Sequence, residues 1–595
     1  MTSPRVFLVG FRGDTPVLRH ALAGYDDESM ISERIIEALQ RAIKTLGLEG
    51  LVVLEHPGDL SHGDYSTNIA LVASKKAGKN PRALAEEIVK NLGIIEGVLK
   101  IETAGAGFIN FHLARSFFSE SIPAIIERGE SWGSNATLKG KKIIVEYSQP
   151  NPFKPFHIGH LMSTTVGESI SRLVEWSGAT IFRANYQGDI GPHVAKGIWG
   201  LQKNNLNPES IQDLGDAYVI GNTAYEDDVA SKAEIDSINK RLYEGDASLK
   251  DIYDKGRATS LAHFEDLYAV LGTKFDEYFF ESDAWRVGLQ IVEEGKAKGI
   301  FEESDGAIVF KGEKVGLHTR VFVTSKGTPT YEAKELGLAE MKRKLFPFDL
   351  NVTTIAVEQD GYFKVVEAAM AELWPSVAGK YTHTAFGMMQ LSSGKMSSRK
   401  GNIITGESLI EEMRAKALAK MEGRVFESEE IKRDVADAVA VSAIKYSILK
   451  QSTGKNIIFD PEASLSFEGD SGPYLQYSYV RAQAVLRKAK EEKIPALSSD
   501  FIYQITERMP EVTELERTLY RFPEAVERAE KEREPHHITT LLTELASAFN
   551  SWYATGKIVD SADALSPYKV GLAKAFALTM KNGLTILGIR APEVM

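Results

Sequence analysis

The stretch KKIIVEYSQPNPFKPFHIGHLMSTTVGESISRLVEWSG, residues 141–178, decides the fold of this chain. It opens with a continuous apolar run, which is typical of a buried strand in a parallel sheet. A proline-rich loop follows, and apolar residues then recur at helical spacing as far as Gly178, a residue suited to ending a helix. Strand, loop and helix together predict the first crossover unit of a doubly wound parallel sheet.

Further strand and helix patterns extend this unit toward the C-terminus. ATIFRANY predicts the next strand, and DGAIVFK, TRVFVTSKG and VTTIAVEQ predict additional strands of the same sheet. A polar, charge-mixed region at about 200–300 predicts a helical insertion. We therefore expect an α/β fold with a Rossmann-like domain over residues 137–410.

The flanking regions have different patterns. Residues 30–120 predict a small α+β domain, with helices followed by strands around a glycine-rich turn, and residues 1–29 form a poorly specified extension. Strand signals vanish after about residue 410. We expect a connecting helical stem over 411–460 and an all-α helical bundle over 461–595.

The bulk composition excludes several classes of protein. The 595 residues contain no cysteine, which removes disulfides, thiolate nucleophiles and cysteine-ligated zinc. No long apolar run predicts a membrane span, and a reducing cytoplasm is the expected location. The net charge of -12 opposes general attraction to nucleic acid, so an RNA partner requires local basic patches.

Two histidines, His157 and His160, stand at the start of the predicted helix. Unpaired N–H groups and the helix dipole favour an anion there, Gly159 leaves room for a ligand, and prolines including Pro155 restrict the loop. The position at a strand-to-helix turn predicts a site for the phosphates of ATP. An ordinary surface or core histidine pair and half of a metal site are the alternatives.

A second candidate stretch is SSGKMSSRKGN, residues 392–402. It combines Lys395, Arg399 and Lys400 with hydroxyl groups and two glycines, a composition suited to binding a polyphosphate. Taken alone, this stretch is equally consistent with a solvated basic loop.

The order HIGH and then KMSS resembles the two signatures of class I aminoacyl-tRNA synthetases. The wider context is similar to the arginyl-tRNA synthetase family from residue 30 onward. The stretches that carry this resemblance include GDYSTNIA, GFINFHL, NYQGDIG, SKGTPTYEAKELGLA, SGPYLQYSYVRAQ, FNSWY and LGIRAPEVM. Glu335 and Tyr362 depart from the family, which usually has Asp and His at these positions.

The resemblance implies ligation of L-arginine to tRNA(Arg) through arginyl-adenylate, with ATP and Mg²⁺ as cofactors and no protein-held metal. It implies that His157, His160, Lys395 and Lys400 are catalytic, and that Pro155, Gly159, Met396, Ser397 and Ser398 complete the ATP site. The implied arginine-binding residues are Glu146, Asn151, Tyr331, Glu335 and Gln359. Which of the two lysines dominates stays open.

The same resemblance implies contacts with tRNA in the two flanking domains. The implied residues are Phe108, Asn110, Tyr474, Tyr477 and Trp552. Without the resemblance, aromatic residues at helical spacing are more often core residues. We expect the protein to be a monomer.

Three other functions are alternatives to this prediction. Another class I synthetase is the nearest, although the cysteinyl enzymes need a zinc site that a chain without cysteine cannot supply. A HIGH-type nucleotidyltransferase does not need about 180 residues of C-terminal helix. A non-catalytic RNA-binding paralogue does not need both intact signatures.

Overall fold

The computed structural model describes residues 30–392, 405–498, 501–502, 505, 509 and 511–595. The extension 1–29 and the basic-loop residues Lys395, Met396, Ser397, Ser398 and Lys400 lie outside the described residues. The chain divides into two compact units. One contains the described residues within Met1–Trp132, Ala482–Glu524 and Ala548–Thr579, and the other contains those within Gly133–Arg481, Ala525–Ser547 and Met580–Met595.

The N-terminal domain is α+β, as the sequence predicts. Its elements are α1 (Ile31–Thr45), β1 (Tyr65–Thr67), α2 (Ile69–Ala77), α3 (Pro81–Lys90), β2 (Val98–Ala104), β3 (Phe108–Leu113) and α4 (Arg115–Arg128). The strands form an antiparallel sheet in the order β1-β3-β2. The stretch GDYSTNIALVASKKAG, whose pattern by itself predicts a helix, begins with strand β1, because Tyr65 and Thr67 pair with Phe111 and Ile109.

The elements of the central region run from residue 142 to residue 391. They are β4 (Lys142–Glu146), α5 (Ile158–Trp176), β5 (Thr180–Gln187), α6 (Pro192–Asn204), α7 (Ile211–Asp227), α8 (Val229–Glu244), α9 (Ala247–Leu271), β6 (Glu277–Phe280), α10 (Glu281–Ala297), β7 (Glu302–Ser304), β8 (Ala307–Phe310), β9 (Arg320–Val323), α11 (Tyr331–Leu345), β10 (Leu350–Ala356), α12 (Asp360–Leu373), β11 (Tyr381–Phe386) and β12 (Met389–Leu391).

Five of these strands form a parallel sheet in the order β11-β10-β4-β5-β6. The expected fold class, a Rossmann-like α/β domain, is confirmed by this sheet. The prediction for DGAIVFK and TRVFVTSKG is wrong in one respect, because β8 and β9 belong to a separate antiparallel sheet with β7. Alternating apolar residues predict a strand but not the sheet that it joins.

The C-terminal region is helical, in agreement with the prediction of a bundle. Its elements are α13 (Gly406–Lys420), α14 (Glu429–Leu449), β13 (Ile457–Phe459), α15 (Pro461–Ser464), α16 (Gly472–Glu491), α17 (Glu514–Leu519), α18 (Phe522–Glu532), α19 (His536–Tyr553) and α20 (Ser566–Ile586). The short strand β13, which pairs with β12, is an exception to the expected loss of strands. No helix of the described residues has the length and apolar character needed to cross a bilayer.

Helix α5 is buried on nearly all sides rather than along one apolar stripe. Some of its buried polar residues are satisfied within the helix; Thr164 Oγ1 and Thr165 Oγ1, for example, donate to the carbonyls four residues earlier. The C-terminal helix also holds α5, since Ser169 Oγ donates to the Ile586 carbonyl at 3.2 Å. Helix α5 is therefore held in the interior of its unit along most of its length.

Candidate active site

The candidate site is a cavity of about 890 Å³ at the carboxyl ends of the parallel strands. The segments that follow all five strands line it: Ser148 after β4, Gly188 after β5, Glu281 after β6, Glu358 after β10 and Gly387 after β11. Parallel sheets bind ligands at this edge. The position of the cavity agrees with the expectation from the quoted strand, loop and helix.

The loop between β4 and α5 is held in a constrained conformation. Ser148, Gln149 and Phe153 have φ values of 74°, 56° and 65°, a backbone region that residues other than glycine rarely adopt. Their backbone N–H groups donate to Ser163 Oγ at 3.0 Å, Asn185 Oδ1 at 3.2 Å and Ser260 Oγ at 3.0 Å, respectively. Such a backbone persists only where its surroundings enforce it, as at many ligand sites.

The two histidines line the cavity, in the part here called the histidine end, and stack on each other with ring centroids 3.6 Å apart. The Gly159 N–H donates to His157 Nδ1 at 3.1 Å, and the His157 N–H donates to His160 Nδ1 at 3.2 Å. Because both Nδ1 atoms accept, the neutral rings carry their protons on Nε2. A Cβ at Gly159 would lie 2.9 Å from the His157 ring, so glycine makes this arrangement possible.

Burial keeps both imidazoles uncharged at neutral pH. Burial, with the nearby Lys154 ammonium as the second cause, lowers the pKa of His157 to about 4. Burial, His157 and Lys154 hold the pKa of His160 well below its ordinary value. The pair therefore offers two neutral N–H donors to an anion, with Lys154 as the adjacent cation.

The cavity lining also contains an acidic and aromatic group, here called the acidic end. Glu281, Glu332 and Glu335 line it with Tyr186 and Tyr362. Lys334 Nζ lies 2.6 Å from Glu281 Oε2, and Arg320 Nη1 lies 3.5 Å from Glu332 Oε1. Glu335 has no hydrogen bond or ion pair with the described residues. Carboxylates beside aromatic faces suit a planar cation.

Among the carboxyl groups of the acidic end, Glu335 has the most strongly shifted pKa. Burial and the neighbouring Glu146 carboxylate raise the pKa of Glu335 to about 8. Burial also raises the pKa of the Tyr362 hydroxyl well above its ordinary value, with Glu335 the next cause, so the two departures from the family are neighbours. A bound cation would favour the ionised form of Glu335.

Four of the five predicted arginine-binding residues line the cavity: Asn151, Tyr331, Glu335 and Gln359. Glu146 does not line it. Its side chain is buried, accepts a hydrogen bond from Gln149 Nε2 at 2.8 Å and pairs with Lys342 Nζ at 2.6 Å. Pro155 also lies outside the lining, in the loop that delivers the histidines.

The residues predicted to contact tRNA have unequal exposure. Phe108 is exposed, whereas Asn110 is buried and accepts a hydrogen bond from Ser66 Oγ at 2.8 Å. Tyr474, Tyr477 and Trp552 are half-buried. These roles stay predictions.

Sequence reasoning missed four site residues: Lys154, Tyr186, Glu281 and Glu332. Lys154 lies inside the quoted loop and could have been recognised as a cation next to the histidines. The short strand β6 that precedes Glu281 was hidden within the predicted insertion. The Tyr186 hydroxyl is buried and has no partner among the described residues, a property that no sequence pattern reports.

No group of three or more His, Asp or Glu side chains suited to holding a metal ion occurs in the described part of the chain. The expected Mg²⁺ therefore has no protein cage in these residues. An ion of this kind commonly binds through substrate phosphates and only one or two carboxylates.

Three family models match successive parts of the chain. They are described as "Arginyl tRNA synthetase N terminal domain" for residues 29–113, "tRNA synthetases class I (R), catalytic domain" for residues 121–461, and "DALR anticodon binding domain" for residues 475–595. The second model covers more than half of the chain.

Curated relatives and a solved structure match at nearly full length. The arginine–tRNA ligase of Clostridium perfringens is 31% identical over 96% of this chain and 100% of the relative. The arginine–tRNA ligase of Treponema denticola is 31% identical over 91% of this chain and 94% of the relative. The arginyl-tRNA synthetase of Thermus thermophilus superimposes with a TM-score of 0.80 at 24% identity, over 95% of this chain and all of that one, and supports the fold. The chain belongs to the arginyl-tRNA synthetase family.

Proposed function

We propose that this chain ligates L-arginine to tRNA(Arg) and that the reaction takes place in the cavity at the sheet edge. A carboxylate oxygen of arginine attacks the α-phosphorus of ATP, and the bond to pyrophosphate breaks. A terminal ribose hydroxyl of the tRNA then attacks the arginyl carbonyl, and AMP leaves. The observation that carries this proposal is one cavity with neutral donors at one end and carboxylates at the other.

The histidine end is suited to the phosphates of ATP. The Nε2–H groups of His157 and His160 donate to phosphate oxygens, while Gly159 and Pro155 shape the turn. Lys154 adds a positive charge beside the two rings. We assign Lys395 and Lys400 to the charge on pyrophosphate, and Met396, Ser397 and Ser398 to ATP. Fixed donors of this kind stabilise charge that develops in the transition state.

The acidic end is suited to the side chain of arginine. A guanidinium group presents N–H donors in one plane, and two carboxylates can bind it at once. We assign this role to Glu335 with Glu281, and we assign Tyr331, Asn151 and Gln359 to the rest of the amino acid. Glu146 contributes its negative charge from behind Glu335.

Selectivity follows from the same groups. Lysine lacks the planar fork, and citrulline lacks the charge, so each leaves buried carboxylates without partners. A site that relies on such hydrogen bonds discriminates strongly between similar substrates. An editing domain is therefore unnecessary for the arginine reaction.

RNA binding is assigned to both flanking domains. We propose that Phe108, Tyr474, Tyr477 and Trp552 stack on exposed bases, at about 1–3 kcal/mol per base, and that Asn110 supports the Phe108 strand. We propose that the enzyme acts as a monomer in the cytoplasm and that Mg²⁺ arrives with ATP. Sedimentation of the purified protein tests the monomer.

The deciding experiment measures charging of total tRNA with each of the twenty amino acids and, separately, ATP–pyrophosphate exchange. We expect arginine alone to be charged. Exchange should rise when tRNA(Arg) is added, as the family resemblance implies, and lysine and citrulline should fail. Charging with another amino acid would overturn the proposed substrate, and exchange without charging would overturn the second step.

A further inference from the structure

The hydroxyl of Tyr186 is buried in the cavity lining and has no hydrogen-bond partner among the described residues. Tyr186 lies near the end of strand β5, and 8% of its surface is exposed. A buried hydroxyl without a partner lowers the stability of a protein, so nearly all such groups bond to protein, water or ligand. Because this hydroxyl lines the cavity, a bound substrate can supply the partner.

The ring that carries this hydroxyl is held in place by a hydrophobic core. Tyr186 pairs with Phe279 of strand β6. Both residues belong to a buried cluster that includes Ala284 of helix α10 and Leu338 of helix α11. A tyrosine side chain turns about only two torsions, so packing of the ring also fixes the position of the oxygen. The hydroxyl is therefore preorganised before any ligand binds.

The register of three strands brings the Tyr186 side chain close to two acidic residues. Glu146 of β4 pairs with Ala184 of β5, and Tyr186 follows two residues later on the same face of the sheet. On the other side, Glu281 comes two residues after Phe279, the partner of Tyr186. The middle strand thus carries the hydroxyl, and each neighbouring strand ends at or next to a carboxylate.

Charge interactions indicate the same neighbours. Burial raises the pKa of the Tyr186 hydroxyl well above its ordinary value, and the Glu281 and Glu335 carboxylates are the next causes. The hydroxyl therefore keeps its proton at neutral pH and can donate one hydrogen bond while its oxygen accepts others. Glu335 also has no hydrogen bond or ion pair within the described part of the chain. The two groups without protein partners are neighbours.

We propose that Tyr186 is a specificity-determining residue of the arginine site, whose oxygen accepts one N–H of the guanidinium and whose hydroxyl donates to the Glu335 carboxylate. The inference rests on the proposed function, which assigns the guanidinium to Glu335 and Glu281. A guanidinium has five N–H donors, and two bidentate carboxylates accept at most four of them. A hydroxyl oxygen accepts the fifth without adding another negative charge to a site where carboxylates already repel one another.

The test removes only the hydroxyl, in the full-length variant Tyr186→Phe. Since the hydroxyl has no partner among the described residues, the urea midpoint of unfolding should stay the same or rise. The affinity for L-arginine, measured by calorimetric titration, should instead fall by about 10–100-fold, the effect of losing a hydrogen bond to a charged group. The KM for ATP should not change. Unchanged stability with weakened arginine binding distinguishes a ligand contact from a role in packing.

Tyr381 offers a matched control on the same sheet. Its hydroxyl is also buried and without a partner in the residues that the structure describes, and Glu146 is a neighbouring charge. Tyr381 lies on strand β11 but is absent from the cavity lining. Tyr381→Phe therefore removes the same group from a similar environment, and the affinity for arginine should stay that of the parent.

Selectivity gives a second measurement. The ammonium of lysine has three donors and lacks the planar fork, so it does not need the additional acceptor. The inhibition constant of lysine, measured by competition with arginine, should be the same in Tyr186→Phe as in the parent. An equal loss for lysine and arginine would show that the hydroxyl acts on any cation, and the assignment to the guanidinium would be wrong.

The remaining outcomes separate this inference from the proposed function. Parent affinity for arginine in Tyr186→Phe would overturn the inference, and so would equal losses in Tyr186→Phe and Tyr381→Phe. A lower unfolding midpoint, with weaker binding of both arginine and ATP, would make the hydroxyl a structural group and would also overturn it. Failure of the parent protein to charge tRNA with arginine would overturn the proposed function instead.

Discussion

The two ends of the cavity recognise opposite charges by opposite means. The histidine end, suited to polyphosphate, consists of two neutral rings whose Nδ1 atoms accept backbone N–H groups within four residues. The acidic end, suited to a cation, brings together Glu281 and Glu335 in the lining and Glu146, whose charge acts on Glu335, from three separate segments. One end is built by a single turn of helix, and the other is built by the tertiary fold.

This difference has an energetic consequence. Neutral donors cost little when no ligand is bound, whereas grouped carboxylates repel one another and must be compensated. Lys342 compensates Glu146, and Lys334 compensates Glu281. Glu335 is left to hold a proton instead. The acidic end should therefore respond to pH and to the loss of a neighbouring cation, and the histidine end should not.

The largest effect is expected from Lys342→Met. This change leaves Glu146 as a buried charge without its partner, and removing one member of such a pair costs about 3–5 kcal/mol. Urea unfolding measures the loss. Lys344→Met is the matched control, because that exposed lysine on the same helix pairs with Glu340 and should cost at most about 1 kcal/mol. Equal losses in the two variants would show that Glu146 needs no buried partner.

His160→Ala should lower kcat for adenylate formation by about 10²–10³-fold, the effect of removing one fixed transition-state donor. The KM for arginine should change little, because the ring is assigned to the phosphates of ATP and not to the side chain of arginine. His160→Gln, which offers a side-chain N–H, should recover part of the rate. Rapid-quench measurement of adenylate formation provides the rate constants. A kcat close to that of the parent in His160→Ala would assign the ring a structural role only.

Arginine binding should strengthen with rising pH and level off above pH 8. The pKa of Glu335 is raised from 4.5 to about 8 in the folded protein, so the carboxylate that binds a guanidinium forms only as pH approaches 8. Below that value the affinity should fall by up to about tenfold per pH unit. Calorimetric titration at several pH values measures this dependence.

The same group sets the sign of a stability effect. Between pH 4.5 and about 8 the folded protein keeps a proton that the unfolded chain releases, so this contribution to stability declines as pH rises. Glu335→Gln should abolish both pH dependences. Glu340→Gln, on the same helix but outside the cavity lining, should abolish neither. A pH-independent affinity in the parent would refute the protonated state of Glu335.

The smallest effect is expected at the histidine end, where neither imidazole ring should change its protonation state with pH. His157, with a pKa of about 4, and His160, with a lower pKa than usual, should stay neutral from pH 5.5 to 8. NMR of the protein with nitrogen-labelled histidine should give ring-nitrogen chemical shifts typical of the Nε2–H form. The variants His157→Gln and His160→Gln assign the signals to the two rings. Titration of either ring with a midpoint near 6.5 would remove the proposed contrast between the two ends.

Much of the fold could be predicted because its signals are local. Strand β4, helix α5 and strand β5 follow from apolar runs and helical spacing within one stretch. The strands β8 and β9 show where such reasoning fails, because apolar alternation does not identify a partner strand. Strand β6 has only four residues and lies among helices, which leaves too little pattern to detect.

By itself, the sequence determined the elements next to the site and the histidine pair, because the donors that orient both rings lie in the same turn. Only the tertiary structure decided that Lys342 neutralises Glu146, that Tyr186 and Glu281 enter the cavity, and that Glu335 keeps a proton. The reason is physical. Hydrogen bonds within a turn depend on adjacent residues, whereas desolvation and charge interactions depend on groups that approach only when the chain folds.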